Sequence, residues 1–155
     1  MKKLIFTLFL LGMSLILFAK EKMILYNEVE IINDTLLKII KEQVIPMINT
    51  DNVCIDVYSY KTAPSTYEVC LQLILKDEIS KKVWGNICGY TLIDDELVIF
   101  RNIKRKLSLI RSKKSIIPIT VIPFTDYVPS IVDMPFWRYK FNNGNLMLEE
   151  RILAY

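Results

Sequence analysis

Apolar side chains return every three or four positions along the early part of this chain: Leu25, Val29, Ile32, Leu36, Ile39 and Ile40. Such steps gather side chains on one face of a 3.6-residue helix. Glu28, Glu30, Asp34, Lys38, Lys41 and Glu42 fall mostly on the other face. Pro46 bars a further turn behind it, so the spacing predicts an amphipathic helix over 26–47. A helix with one apolar side needs a surface to cover, and the remainder of the chain offers strands.

From residue 53 the period drops to two. Val53, Ile55 and Val57 alternate with Cys54, Asp56 and Tyr58, and Val69, Leu71, Leu73 and Leu75 alternate with Glu68, Cys70 and Gln72. Joined through 61–65, which contains Pro64, these runs read as an antiparallel hairpin with one buried face. Matching apolar face to apolar face requires paired residue numbers with an even sum. A sum of 124 closes a short loop, sets Ile55 against Val69 and Val57 against Tyr67, and brings Cys54 opposite Cys70. A disulfide between Cys54 and Cys70 is geometrically allowed there; the alternative is two small unbonded residues on a partly covered face. Cys88 is then left over, either buried beside Ile87, which is the reading expected, or reactive, or paired between chains.

A second hairpin is expected from 87–92 and 96–100 around Asp94-Asp95, with Gly89 marking a bulge. Residues 116–124 are apolar and β-branched, but Pro118 and Pro123 cannot donate ladder hydrogen bonds and push that strand toward an edge. Asn143-Gly144 is the favoured type I′ turn of a last hairpin. That turn pairs Phe141 with Leu146 and Tyr139 with Leu148, and sets Arg138 against Glu149 on the other face. Ile152 and Leu153 continue the strand or tuck its end down. Segment 76–86 reads either as a short helical turn on Ile79, Val83 and Trp84 or as an irregular loop.

The expected fold class is therefore α+β, a long N-terminal amphipathic helix packed on a mainly antiparallel sheet of about five to seven strands. In element order this resembles the cystatin-like and NTF2-like arrangements of a helix on a curved sheet. The similarity is one of architecture. The Q-x-V-x-G loop of the cystatins is absent, so the resemblance implies no protease inhibition.

The start of the chain stands apart from this pattern. Lys2 and Lys3 precede an uncharged run from Leu4 to Ala19, followed by Lys20, Glu21 and Lys22. That layout is a secretory signal peptide with Ala19 before the cut, which leaves residues 20–155 as a single domain and places it outside the cytosol, in the periplasm, cell envelope or medium. The alternative is an uncleaved anchor, although the run falls short of the ~18–20 residues that span a bilayer. Cleavage removes two lysines and leaves 18 basic against 17 acidic side chains, a net of +1 in place of +3. Net charge then says little about partners, beyond making nucleic acid a poor one.

The 155 residues contain no histidine. Ser-His-Asp and Cys-His catalysis, histidine bases and histidine metal ligands are excluded together. There is no G-x-G-x-x-G, Walker A, C-x-x-C or G-x-S-x-G motif. Asp94, Asp95 and Glu96 lack the wider ligand spacing and turn glycine of a calcium loop and read as a solvated turn. No cofactor or metal is expected.

Two surfaces remain as binding candidates. One is the basic stretch from Arg101, in which Lys104, Arg105, Lys106, Arg111, Lys113 and Lys114 are uninterrupted by any acid. It suits an anionic glycan, lipid or protein surface, or it is a strand edge whose charge discourages pairing. The other is the proline-punctuated connection carrying Tyr127 and Trp137. The expected function is a small exported, non-catalytic binding or interaction domain. One alternative is an enzyme with a pocket between helix and sheet, in which carboxylates and tyrosines such as Asp56, Tyr58, Glu68 and Tyr139 converge. Another is a membrane-anchored structural component of the envelope.

Overall fold

A computed structural model describes residues 22–76, 87–121 and 134–153. The expected signal segment, Ile79, Val83, Trp84 and Tyr127 lie outside the described residues. Eight strands form one mixed sheet: β1 (Lys22–Ile31), β2 (Val53–Ala63), β3 (Thr66–Leu75), β4 (Ile87–Ile93), β5 (Glu96–Arg101), β6 (Ile110–Val121), β7 (Phe136–Asn142) and β8 (Asn145–Ile152). Their spatial order is β6-β1-β4-β5-β2-β3-β7-β8. The pairings β1 with β4 and β2 with β5 are parallel, and the others are antiparallel.

The long N-terminal helix is not found. Helical backbone spans 14 residues: α1 (Asp34–Ile39), a π turn (Ile40–Val44) and a 3₁₀ turn (Ile45–Met47). The residues before it form β1, so the helix-first order shared with cystatin-like folds is absent too. Leu25 and Val29 explain the difference, because a spacing of four keeps side chains on one face of a strand as well as of a helix. The true start is set by Asn33. Its side-chain oxygen accepts from the Leu36 N–H at 2.8 Å, and Asp34 adds a negative charge in the first turn, both favourable at a helix N-terminus. The Asn33 amide also donates to the Gly144 carbonyl at 2.9 Å, tying the helix start to the β7–β8 turn. Pro46 lies within the closing 3₁₀ turn, close to where it was expected to stop the helix.

Leu36, Ile39, Ile40 and Val44 share one core with Val29, Ile55, Val57, Val69, Leu71, Phe100 and Trp137. The alternation in β2 and β3 is as expected, but the register is not. Ile55 pairs with Leu73, Val57 with Leu71 and Tyr58 with Cys70. The connection is a tight turn at Pro64 and Ser65, with a bulge between Lys61 and Ala63. Ile55 and Leu73 sum to 128, four above the expected 124, so every partner shifts while the alternation survives. Cys54 therefore faces Ile74, and Cys54 and Cys70 are not disulfide-bonded to one another.

The β4–β5 hairpin turns at Asp94 and Asp95, both with positive φ. The bulge expected at Gly89 lies between Ile87 and Gly89. A Cβ on Gly89 would sit 2.4 Å from Val29 Cγ1 and 2.7 Å from the Asn27 carbonyl oxygen. Its missing side chain is what lets β4 lie beside β1, where Glu28 pairs with Tyr90. Gly89→Ala is expected to lower stability by about 1–3 kcal/mol, the usual cost of overpacking. An unchanged urea midpoint would contradict that close approach.

The last hairpin turns through Asn143 at φ 47° and Gly144 at φ 85°. Phe141 pairs with Leu146 and Tyr139 with Leu148 as expected. A shift between Arg138 and Tyr139 sets Arg138 against Glu150 instead of Glu149, and the ion pair closes at 2.8 Å. At the opposite edge lies β6, with Pro118 in its strand, as its composition requires.

Candidate functional site

Two places bring together side chains capable of chemistry. The first is the face of β2, β3 and β5 turned away from the helix. Alternation puts Asp56, Tyr58 and Tyr60 there from β2 and Glu68, Cys70 and Gln72 from β3, and Arg101 closes β5 beside them. Asp56 is fully buried. It accepts from Arg101 Nε at 2.7 Å, from Arg101 Nη2, and from Gln72 Nε2 at 2.9 Å. The Arg101 guanidinium lies 4.9 Å from the Tyr58 ring centroid, and the Tyr58 and Tyr60 rings stack at 6.4 Å. The Tyr60 hydroxyl donates to Glu68. Arg138 reaches Glu68 at 3.8 Å and Glu150 at 2.8 Å.

Asp56, Tyr58 and Glu68 thus converge as an enzyme would require. The tyrosine and thiol groups of this face are held in their protonated forms. Burial pushes the Tyr58 hydroxyl above the ordinary phenol range and the Cys70 thiol up to about 11. The hydrogen bond to Glu68 raises Tyr60 to about 12. Near neutral pH these groups stay protonated, and a thiol attacks only as thiolate. Tyr139 does not join them. It lies on the helix face, where its hydroxyl donates to Gln43 at 3.0 Å.

The second place is a cleft of about 310 Å³ between the β2–β3 turn, the β7–β8 turn and a 3₁₀ turn at Arg105–Leu107. Tyr67 and Phe141, cross-strand neighbours on β3 and β7, form its floor. Lys106 Nζ sits 4.3 Å from the Tyr67 ring centroid, within cation–π range. Lys61 pairs directly with Tyr67 across β2 and β3. The hydrogen bond with Lys106 leads in holding the Tyr67 hydroxyl below the usual phenol range, with the charges of Lys106, Lys61 and Lys104 adding to it against an opposing effect of burial. No acidic residue lines the cleft.

The basic stretch is divided by its surroundings. Arg101 is bound to Asp56. Arg111 bridges Glu30 at 2.6 Å and Lys113 bridges Glu28 at 2.7 Å, both from β6 to β1. Lys114 is exposed on the edge strand, and Arg105 is exposed in the 3₁₀ turn. Lys106 lines the cleft, and Lys104 lies close enough for its charge to act on the Tyr67 phenol. Trp137 is fully buried in the core and offers no surface. A second hollow of about 350 Å³ beside Leu37 and Leu92 carries both signs of charge, and Lys41 and Asp94 neutralise each other there at 3.4 Å.

Tyr67 and Phe141 count as strand positions in the sequence and Lys61 as part of the 61–65 connection, so none of them stands out. The tight Pro64-Ser65 turn together with the bulge between Lys61 and Ala63 is what sets Lys61 opposite Tyr67. No family model matches the chain, and neither curated proteins nor solved structures yield a match.

Proposed function

We propose that this protein is a non-catalytic binding domain that holds an anionic ligand in the cleft over Tyr67 and Phe141, acting outside the cytosol as its N-terminal pattern suggests. The observation that carries this reading is the unequal treatment of cations. Among the described residues, Arg101, Arg111, Lys113 and Arg138 are each matched to a carboxylate, whereas Lys106, which lines the cleft, is matched to none, and Lys61 and Lys104 lie close enough to act on the Tyr67 phenol beside it. Like charges held together repel, and an anion entering between them relieves that repulsion. The opposite polar face is saturated by its own partners and leaves little for a substrate.

Lys106→Glu is expected to weaken retention on carboxylate- or sulfate-bearing polysaccharide resins about tenfold or more, since it removes a charge-assisted contact and installs a repulsive one. Lys114→Glu changes net charge equally but lies on the β6 edge, and it should leave retention nearly unchanged. Equal loss in both variants would mean that overall charge, not the cleft, governs binding. The Tyr67 phenol supplies a second readout. A bound anion offsets the lysine charges, so the Tyr67 titration should move upward, and the change should vanish in Tyr67→Phe.

A further inference from the structure

We infer that the ligand is an acidic sugar, a hexuronate unit of a longer glycan, with its carboxylate on Lys106 and the apolar face of its ring on Phe141. This inference rests on the anion-binding reading of the same cleft and narrows it.

Three observations favour a larger ligand over the simpler anions. A phosphate or sulfate site is commonly built from backbone N–H groups in a turn or from an arginine fork. In the turn that walls this cleft those donors are spent: the Leu107 N–H bonds the Lys104 carbonyl at 2.9 Å, and the Ser108 N–H bonds the Arg105 carbonyl at 3.1 Å. No arginine lines the cleft. The floor is also aromatic, which an inorganic anion does not use.

The same features suit a sugar acid. Tyr67 is covered by the Lys106 ammonium, while Phe141 is half-buried one strand away. Neighbouring strands lie ~4.8 Å apart, so a fixed positive charge and a flat apolar surface are offset by about the width of one pyranose ring. Around them stand short neutral donors and acceptors, Ser65, Asn142 and Asn143, which match ring hydroxyls. A volume near 310 Å³ lies at the lower end for ligand sites and holds one or two rings. Hydrolysis of a glycan chain requires two carboxyl groups flanking the bond. None lines this cleft, so it is not built for hydrolysis by that route.

The test is a calorimetric or NMR titration of the wild-type protein with a galacturonate trisaccharide, the corresponding neutral trisaccharide, inorganic phosphate and acetate. Saturable binding of the galacturonate alone is expected, weakened about tenfold by Lys106→Gln and about fivefold by Phe141→Leu. Lys106 is exposed, so its variant stays informative even where Phe141→Leu lowers stability. Phosphate binding as strong as galacturonate binding, lost in Lys106→Gln and indifferent to Phe141→Leu, would overturn the sugar assignment and leave the anion cleft standing. Galacturonate binding that ignores both substitutions would also overturn it. Failure of every anion to bind would remove both readings together.

Discussion

Asp56→Ala is expected to cost about 3–5 kcal/mol of folding stability, the range for removing one partner of a buried ion pair. The carboxylate has no exposed surface, and the Arg101 side chain retains 15% of its own. Both charges were taken out of water during folding, and only their mutual attraction offsets that penalty. Alanine removes the acceptor of two guanidinium bonds and of the Gln72 amide, and it leaves the cation in place. Replacing the pair together, as Asp56→Leu with Arg101→Met, should recover most of the loss, because well-packed apolar residues are often as stable as a buried pair. Urea denaturation of the three variants measures this. A single-variant loss under about 1 kcal/mol would place the pair in the class of solvent-exposed bridges.

Trp137 gives the second large effect. The sequence offered it as a binding residue, and the fold buries it completely near the start of β7, opposite Leu71. Truncation to alanine is expected to cost about 3–5 kcal/mol through lost transfer energy and the cavity left behind. Trp137→Phe should cost far less, about 1.5 kcal/mol or below. Its smaller ring leaves a modest void, but it also removes an indole N–H that is buried with no hydrogen-bond partner. An unpaired donor carries a desolvation penalty, and deleting it returns part of the packing loss. Thermal unfolding of both variants separates these contributions. Equal destabilisation would mean that the indole N–H carries no such penalty.

Local signals were legible and non-local ones were not. The Asn143-Gly144 turn, the Asp94-Asp95 turn and the Gly89 bulge could all be read because each depends on a few adjacent residues. The helix was misjudged at its beginning. Leu25 and Val29 satisfy both periodicities, and the Asn33-Asp34 start signal was overlooked. The β2–β3 register is displaced by four positions, an even shift to which alternation is blind, and the β7–β8 register by one residue at Arg138. The parallel pairings of β1 with β4 and β2 with β5 have no local signature at all.

The candidate site divides in the same way. The charges of Lys104 and Lys106 were visible in the chain. Which neighbouring cations were already neutralised was not, because Glu28 and Glu30 meet Lys113 and Arg111 only after β1 and β6 have paired. The aromatic floor was hidden inside two strands that looked purely structural.

That β1–β6 pairing also sets an order of assembly. Glu30 and Arg111 are separated by 81 positions, and closing so long a loop sacrifices chain entropy before any contact rewards it. The β2–β3, β4–β5 and β7–β8 hairpins close over only a few residues each and can form early. The strand that comes first along the described chain is therefore expected among the last to be seated, and it joins β6 to a contiguous block from β4 to β8 that can pair without it. Proteins dominated by such distant pairings fold slowly for their size, and until β1 docks, β4 and β6 each expose a strand edge to aggregation.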